Sequence, residues 1–372
     1  MSVWYIDSTL RDGEQAPGVS FSPLEKMNIA VLLNELDIDE AEIGTPAMGE
    51  KEISIMRDIA TAGFSFRTTS WCRATEDDIR AAIHARTDAI NISFPVSEYH
   101  LKAMNKSENW VYSRIPRLLS IASDYFSHVA IGLQDASRAD YDFLKNIISL
   151  ANDFNAHRIR IADTVGCLNP FTTRELFSEL VRDFPTTNFE FHGHNDLGMA
   201  TANSLAAYLS GARSISTTIN GLGERAGNAS LDEVVMALKY SANIRPGIIT
   251  RKLQQISDYV AHVSGRPVHA SKPITGQKVY QHESGIHTNS LLKERNTYQL
   301  INNEETGRDG KASIVFGKHS GTSALASFYS EKGLHLTKEL LNTILGQVKI
   351  CSAIKKDNLH ADELMNLYYQ LT

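Results

Sequence analysis

Hydrophobic and polar positions follow two different periods along the first two-thirds of the chain. Short runs typical of β-strands occur at 3–7, 40–44, 65–71, 89–94, 128–134, 158–163, 188–194 and 214–221. Longer amphipathic stretches of helical period, such as 22–37 and 97–126, lie between them. Ser22, Pro23 and Glu25 supply the cap, the first-turn proline and the early carboxylate that are typical of a helix start.

Regular alternation of strands and helices predicts parallel strands. Eight such units fit a closed (β/α)8 barrel, which typically takes about 250 residues. A doubly wound open sheet is the alternative, but no glycine-rich nucleotide fingerprint follows the first strand. Beyond residue 262 the alternation stops, 264–280 has the composition of a linker, and 323–372 is helical in pattern. We expect a catalytic barrel over 1–262 and a smaller, mainly helical C-terminal region over 263–372.

Composition narrows the class of protein further. The 372 residues carry a net charge of -6, whereas nucleic-acid binding favours basic proteins. The sequence has no apolar run near the roughly 20 residues of a membrane span, and its N-terminus lacks a signal-peptide pattern. Cys72, Cys167 and Cys351 are widely separated, which predicts reduced thiols that fill the core rather than act as nucleophiles. We therefore expect a cytoplasmic protein with neither a nucleic-acid nor a membrane partner.

Polar residues collect where the predicted strands end. The first strand runs into "DSTLRDGEQ" (7–15), the seventh into "HGHND" (192–196) and the eighth into "NGLGERAGN" (220–228). The carboxyl ends of barrel strands share one rim, and active sites of this fold lie there. The sequence thus predicts a site at this rim.

The best candidate for a metal site is the pair His192 and His194. Residues two apart on a strand face the same side, so both imidazoles can share one ion, or else bond to other groups inside the barrel mouth. Asp12 adds a carboxylate, and Asn228 can add an amide oxygen. In a closed barrel the first, seventh and eighth strands are near neighbours, so these side chains converge if the fold is right. Imidazole and carboxylate ligands suit ions such as Zn, Mn and Fe.

Arg11, directly before Asp12, has two interpretations. It can be a cation that stabilises an oxyanion near the metal. Alternatively, it is a structural residue that pairs with Glu14 or Asp7.

Other polar residues also leave alternatives open. Thr164 can donate to a substrate carboxylate, or it can cap a helix. Arg73 can hold a second substrate carboxylate, or it can pair with Asp77 or Asp78. The glycines of 220–228 allow a close approach to a ligand, or they simply form a tight turn.

The motifs "LRDGEQ", "ADTVG", "HGHND", "NGLGERAGN" and "HESGIH", in this order and spacing, resemble those of the DRE-TIM metallolyase superfamily. Within it the chain is similar to the acyl-CoA Claisen-condensing enzymes, a group with homocitrate, 2-isopropylmalate and citramalate synthases. The likeness extends over nearly the whole chain. It is strongest to short homocitrate synthases of the nitrogen-fixation type, through "EIGTPAMGE", "SWCR", "FPVSEYH" and "DASRAD".

The resemblance implies a role for each candidate residue. The metal ligands match Asp12, His192 and His194, with Asn228 close by. Arg11 matches the arginine that stabilises an enolate or alkoxide oxygen, and Thr164 matches the residue that binds a substrate carboxylate. Gln15 and Arg73 are expected as further substrate contacts, without a family match. Glu224 and His287 match acid–base residues.

One position departs from the family. Relatives usually have a glutamate where this chain has Gln134, and that carboxylate pairs with the arginine of "LRDG", which is Arg11 here. Glutamine keeps the hydrogen bond but loses the charge and cannot act as a base. Either Glu224 and His287 carry the proton transfers, or the substrate differs from the usual one. An inactive protein is the third interpretation, and the intact metal ligands disfavour it.

The activity that the resemblance implies is a metal-dependent condensation of acetyl-CoA with a 2-oxo acid, with 2-oxoglutarate giving homocitrate as the leading expectation. The alternatives are isopropylmalate, citramalate or phosphonomethylmalate-type synthases. A lyase like hydroxymethylglutaryl-CoA lyase and a non-catalytic barrel are less favoured. The metal can be Mg, Mn, Fe, Co or Zn. The resemblance also implies a homodimer whose C-terminal region reaches the partner's active site.

Overall fold

The computed structural model describes residues 3–308 and 313–372. Within them, eight parallel strands form a closed barrel in sequence order, with β1 hydrogen-bonded to both β2 and β8. The strands are β1 Trp4–Asp7, β2 Glu40–Gly44, β3 Arg67–Arg73, β4 Ala89–Pro95, β5 His128–Gln134, β6 Arg158–Asp163, β7 Phe189–Gly193 and β8 Ser214–Thr217. The predicted (β/α)8 barrel is confirmed.

The eighth strand was predicted to reach residue 221, but it ends at Thr217. A 3₁₀ turn over Ile219–Gly221 follows, and Asn220 there has a left-handed φ of 59° that a strand cannot contain. The seventh strand ends at Gly193, so His194 lies one residue past it and pairs with Asn228 in an isolated antiparallel bridge. This bridge brings the loops after β7 and β8 together.

Helices surround the barrel. They are α1 Pro23–Leu36, α2 Glu50–Ala60, α3 Glu76–Ala85, α4 Glu98–Ala103, α5 Glu108–Ser123, α6 Tyr141–Asp153, α7 Pro170–Asp183, α8 Ala200–Leu209, α9 Leu231–Ser241 and α10 Leu253–Val263. The predicted start of α1 is confirmed, since the Ser22 hydroxyl accepts from the Glu25 amide and the Glu25 carboxylate accepts from the Ser22 amide. The amphipathic stretch 97–126 forms two helices, because Ser107 caps a new helix at Glu108.

The chain divides into two compact units, Met1–Val268 and His269–Thr372. The second contains α11 Gly285–Leu291, α12 Thr322–Ser330, α13 Lys338–Lys355, α14 Ala361–Leu371 and a short parallel pair, β9 Gln281–His282 and β10 Ser313–Ile314. The helices predicted over 323–372 are confirmed. Tyr329 is buried among Leu325, Ile344 and Val348, and its hydroxyl donates to the carbonyl of Leu364. Across residues 3–308 and 313–372, no helix has the length and apolar character that a membrane crossing needs.

The inside of the barrel is charged rather than apolar. Residues two apart on β2, β6 and β7 place alternate side chains inward, and these form buried ion pairs. Arg158 pairs with Glu40 at 2.6 Å and with Glu190 at 2.7 Å. Arg160 pairs with Glu42 at 2.7 Å and with Glu190 at 2.5 Å. Each buried charge is thus matched by an opposite one, as burial requires.

Candidate active site

A cavity of about 200 Å³ opens at the carboxyl ends of the strands. Most of the residues predicted for the site line it, namely Arg11, Asp12, Gln15, Gln134, Thr164, His192, His194 and Glu224. The barrel therefore brings together residues that are more than 200 positions apart in sequence.

Asp12, His192 and His194 converge on one point. The Asp12 Oδ2 atom lies 3.1 Å from His192 Nε2 and 3.8 Å from His194 Nε2, and the two Nε2 atoms are 3.3 Å apart. Adjacent ligands around one ion, each bonded at about 2.0–2.2 Å, stand roughly 3 Å from each other. These three residues are the one group of His, Cys, Asp and Glu in the described ranges that has metal-binding geometry.

The surroundings of these three side chains also fit a metal ion. The Nδ1 atom of His192 bonds the Ser216 hydroxyl at 2.9 Å, which orients the ring and leaves Nε2 facing Asp12. Asp12 Oδ2 and Asn228 Oδ1 are buried and accept no hydrogen bond from the described residues. The Asn228 amide is held by its Nδ2, which donates to the carbonyl of Leu222 at 3.1 Å. Arg11 already places a cation beside Asp12, so the oxygen of Asn228 is the buried acceptor whose cost of burial a metal ion would offset.

The electrostatics keep Asp12 and His194 in the protonation states that can bind a metal. Burial alone would raise the pKa of Asp12, but Arg11 and the two histidines outweigh it and hold that pKa well below its usual range. Burial, with the neighbouring His192, lowers the pKa of His194 to about 4. The aspartate is therefore ionised and the His194 imidazole neutral at physiological pH.

Arg11 pairs with a residue that the sequence analysis did not select. Its Nε and Nη2 atoms lie 2.9 and 2.6 Å from Glu42 Oε2, and its Nη1 is 3.3 Å from Asp12. The proposed structural partners were wrong: Glu14 pairs with Lys26 at 2.6 Å, and Asp7 accepts from Thr9. The Arg11 guanidinium also stands over the Trp71 ring, 5.4 Å from its centroid.

Thr164 is well placed to donate a hydrogen bond. Its hydroxyl accepts from the Asp135 amide at 2.9 Å, which leaves the hydroxyl proton for another acceptor. The Thr164 carbonyl accepts from Arg225 Nη2 at 2.7 Å, and Arg225 also forms a bidentate pair with Asp196 at 2.8 and 3.0 Å. Arg225 thereby ties the Glu224 loop to the ends of β6 and β7.

The other predicted residues differ in their settings. Gln134 and Gln15 line the cavity, and Glu224 does so with a half-exposed side chain. His287 lies in the second unit, where it is exposed and stacks on Tyr298 with ring centroids 3.9 Å apart.

Arg73 lies outside the cavity and forms a bidentate pair with Asp78 at 3.0 and 2.8 Å. This is one of the two pairings that the sequence analysis kept as alternatives, and the substrate contact remains a prediction. Of the cysteines, Cys72 is buried and Cys351 half-buried, but Cys167 is exposed, so the core assignment was wrong for Cys167.

Five further residues shape the site, although the sequence motifs did not assign them a role: Glu42, Arg160, Ser216, Asp196 and Arg225. A usable pattern was present for the strand residues. Charged residues alternate in "EAEIG", "RIRIAD" and "NFEFHGH", and alternation on a barrel strand places them inside.

Two sequence profiles cover most of the chain. That of the HMGL-like family matches residues 2–260, and one described as homocitrate synthase post-HMGL domain-like matches residues 274–356. The chain belongs to the HMGL-like family, within the DRE-TIM metallolyase superfamily. The resemblance inferred from the motifs is confirmed.

Relatives with similar sequences carry the names of two kinds of synthase. The 2-isopropylmalate synthase 2 of Caldanaerobacter subterraneus is 42% identical, over 98% of this chain and 95% of the relative. Homocitrate synthase 1 of Nostoc sp. is 41% identical, over 97% of this chain and 95% of that relative. Homocitrate synthase AksA of Methanopyrus kandleri is 40% identical, over 92% of this chain and 86% of that relative.

Solved structures support the fold alone. A hydroxymethylglutaryl-CoA lyase from Pseudomonas aeruginosa has a TM-score of 0.64 at 19% identity, covering 72% of this chain and 94% of that one. The carboxyl transferase domain of Rhizobium etli pyruvate carboxylase, solved with oxamate and biotin, has a TM-score of 0.57 at 17% identity, over 79% and 53%.

Proposed function

We propose that this protein catalyses a metal-dependent condensation of acetyl-CoA with a 2-oxo acid, and that the acid is 2-oxoglutarate, giving homocitrate and CoA. The convergence of Asp12, His192 and His194 at the barrel mouth carries this proposal. The names of the relatives support the reaction class, while they divide between two 2-oxo acids. An isopropylmalate, citramalate or phosphonomethylmalate-type synthase is therefore the alternative.

A divalent ion held by Asp12, His192 and His194, with Asn228 beside them, would supply Lewis acidity and a template for the ketone and its carboxylate. The ion is one of Mg, Mn, Fe, Co and Zn. Thr164 donates its hydroxyl proton to the substrate carboxylate. Gln15 and Arg73 are the further proposed substrate contacts, with Arg73 assigned to a distal carboxylate.

The methyl group of acetyl-CoA has to lose a proton before it can attack, and a thioester α-proton is weakly acidic. Arg11 stabilises the negative oxygen that develops, because its charge is fixed at the cavity by Glu42 and Asp12. The enolate then attacks the ketone carbon, and water cleaves the thioester to release CoA.

Glu224 and His287 are the proposed acid and base for these proton transfers. Gln134 contributes hydrogen bonds without a charge. We also propose that the protein is a cytoplasmic homodimer in which His287 serves the partner's cavity.

A thiol reagent tests the activity by reporting free CoA from acetyl-CoA across a panel of 2-oxo acids. We expect release that requires a divalent metal and is fastest with 2-oxoglutarate. Faster release with 2-oxoisovalerate or pyruvate would reassign the substrate, and no release with any acid would contradict the reaction class. Cleavage of hydroxymethylglutaryl-CoA to acetyl-CoA and acetoacetate would favour the lyase; it releases no free thiol, so the formation of acetoacetate has to be measured separately.

A further inference from the structure

A second hollow, of about 570 Å³, adjoins the active-site cavity on the side of β3, β4 and β5. The two share Trp71, Ser93 and Gln134 in their linings. Further out, the hollow is lined by Lys106, which is exposed, and by Trp110 at the start of α5. A ligand bound at the metal-binding residues can thus extend into the hollow along a continuous wall.

The hollow and its rim are positively charged in a chain whose net charge is -6. Four cations and three carboxylates line the hollow, and a fifth cation, Arg117, contacts one of those carboxylates, Glu76, so cations outnumber carboxylates. The cations are Arg73, Arg80, Lys106, Arg114 and Arg117, and the carboxylates are Glu76, Asp77 and Asp78. Such a surplus beside a cavity attracts anionic ligands.

The surplus is concentrated at the outer end. Three arginines share the single carboxylate of Glu76, with Arg117 at 2.5 Å, Arg80 at 3.4 Å and Arg114 at 3.9 Å. Across 3–308 and 313–372, Lys106 has no carboxylate at ion-pair distance, and its Nζ lies 5.1 Å from the centroid of Trp110. Arg73, at the inner end, is instead neutralised by its bidentate pair with Asp78.

An aromatic plane flanked by cations suits a nucleotide, because the ring can stack on a base while the cations contact phosphates. Arg114 also stands over Trp110, 5.9 Å from the ring centroid. We propose that the outer end of this hollow binds the phosphorylated adenosine of acetyl-CoA; this inference rests on the proposed condensation. The pantetheine arm then runs past Trp71 and Ser93 to the metal-binding residues.

The tail of the 2-oxo acid is a poorer occupant of the outer end. A short acid held at its ketone reaches the inner wall, where Trp71 and Arg73 lie, whereas the unneutralised cations lie further out. The arm of CoA is several times longer, and its phosphates match the surplus charge.

A third hollow competes for the same ligand. It measures about 770 Å³, adjoins the cavity at Arg11 and Gln15, and includes Lys51. Its buried cation, Lys26, is already paired with Glu14 at 2.6 Å and Glu52 at 2.8 Å. Carboxylates neutralise the cations of this third hollow. It should therefore attract a nucleotide with four negative charges less strongly than the outer end of the second hollow does.

The test is the double variant Lys106→Gln/Arg114→Gln, with Lys51→Gln as the matched control from the competing hollow. We expect the KM for acetyl-CoA to rise about 10-fold in the double variant, since a hydrogen bond to a charged group is worth that much. The kcat and the KM for the 2-oxo acid should stay unchanged. The wild type should bind 3′-dephospho-CoA more weakly than CoA in calorimetric titrations, and the double variant should lose most of that difference.

Other results would overturn the assignment. A higher KM for the 2-oxo acid alone would place the acid's tail in the hollow. An equal loss of CoA binding in Lys51→Gln, or none in the double variant, would place the nucleotide elsewhere. The calorimetric titration does not need turnover, so an absence of CoA release with every 2-oxo acid would contradict the condensation without deciding the nucleotide site.

Discussion

Arg11 and Glu42 form a buried ion pair in which two guanidinium nitrogens, 2.9 and 2.6 Å away, donate to one carboxylate oxygen. The other oxygen, Oε1, contacts Arg160 at 2.7 Å and Asn91 at 3.1 Å. The resemblance implied a carboxylate partner for Arg11 at position 134, where this chain has glutamine. Glu42 fills that role from β2, so Arg11 keeps a fixed orientation despite the substitution.

Glu42→Gln should therefore lower both stability and activity. It leaves Arg11 and Arg160 without their shared carboxylate inside the barrel, and breaking a buried pair costs about 3–5 kcal/mol. Urea unfolding measures the loss of stability, and steady-state kinetics measure the loss of activity as a lower kcat. Asp142→Asn, at a side chain that is 88% exposed, is the control and should change neither. Wild-type stability in Glu42→Gln would contradict the structural role of the pair.

Asp12→Asn should abolish metal binding. The variant keeps the size of the side chain but removes the negative charge between the two imidazoles, so we expect metal content and kcat to fall at least about 100-fold. Elemental analysis of the purified protein measures the metal content directly. His84→Gln, at an exposed helical position, should retain the full metal content. A stoichiometric metal in Asp12→Asn would rule out the proposed ligand set.

Gly227 should be irreplaceable in the loop that carries Asn228. Its φ is 83°, and a Cβ added there would collide with the carbonyl oxygen of Gly221. Gly18 has nearly the same φ, 82°, but open space around its Cβ position. Gly18→Ala should thus cost about 1 kcal/mol from backbone strain alone, whereas Gly227→Ala should cost more and weaken metal binding. Equal losses in the two unfolding free energies would contradict the steric argument.

Asp7 should make stability depend on pH. Complete burial raises the pKa of its carboxyl to about 7, against an ordinary value of 3.8. The folded state therefore binds this proton more tightly than the unfolded state does. The contribution of this proton to the free energy of unfolding is fully present below about pH 4 and is lost as the pH rises through 7.

Asp7→Asn removes the titration, because the carboxamide of asparagine does not ionise in this pH range. The difference in unfolding free energy between wild type and variant should change by about 1.4 kcal/mol per pH unit between pH 4 and 7 and level off above. Urea unfolding at several pH values measures it. Parallel curves for the two proteins would show that Asp7 does not titrate in this range.

The amino-acid sequence by itself determined the barrel, because strand and helix periods are local properties of consecutive residues. It also placed Asp12, His192 and His194 together, since strand ends meet at one rim in any closed barrel. The exact ends of strands were less predictable: β8 stops at Thr217 because Asn220 adopts a left-handed conformation. The Asn220–Gly221 dipeptide is a local turn signal, and the prediction of a strand up to residue 221 did not take it into account.

Only the tertiary structure decided which charges neutralise each other. Arg11 had carboxylates at positions 7, 12 and 14 nearby in sequence, yet its main partner is Glu42 on the adjacent strand. Likewise Lys106 and Arg114 come together with Trp71 through the packing of α3 and α5 against neighbouring strands. Ion pairs form between groups that are close in space and shielded from water, and three-dimensional packing sets both conditions.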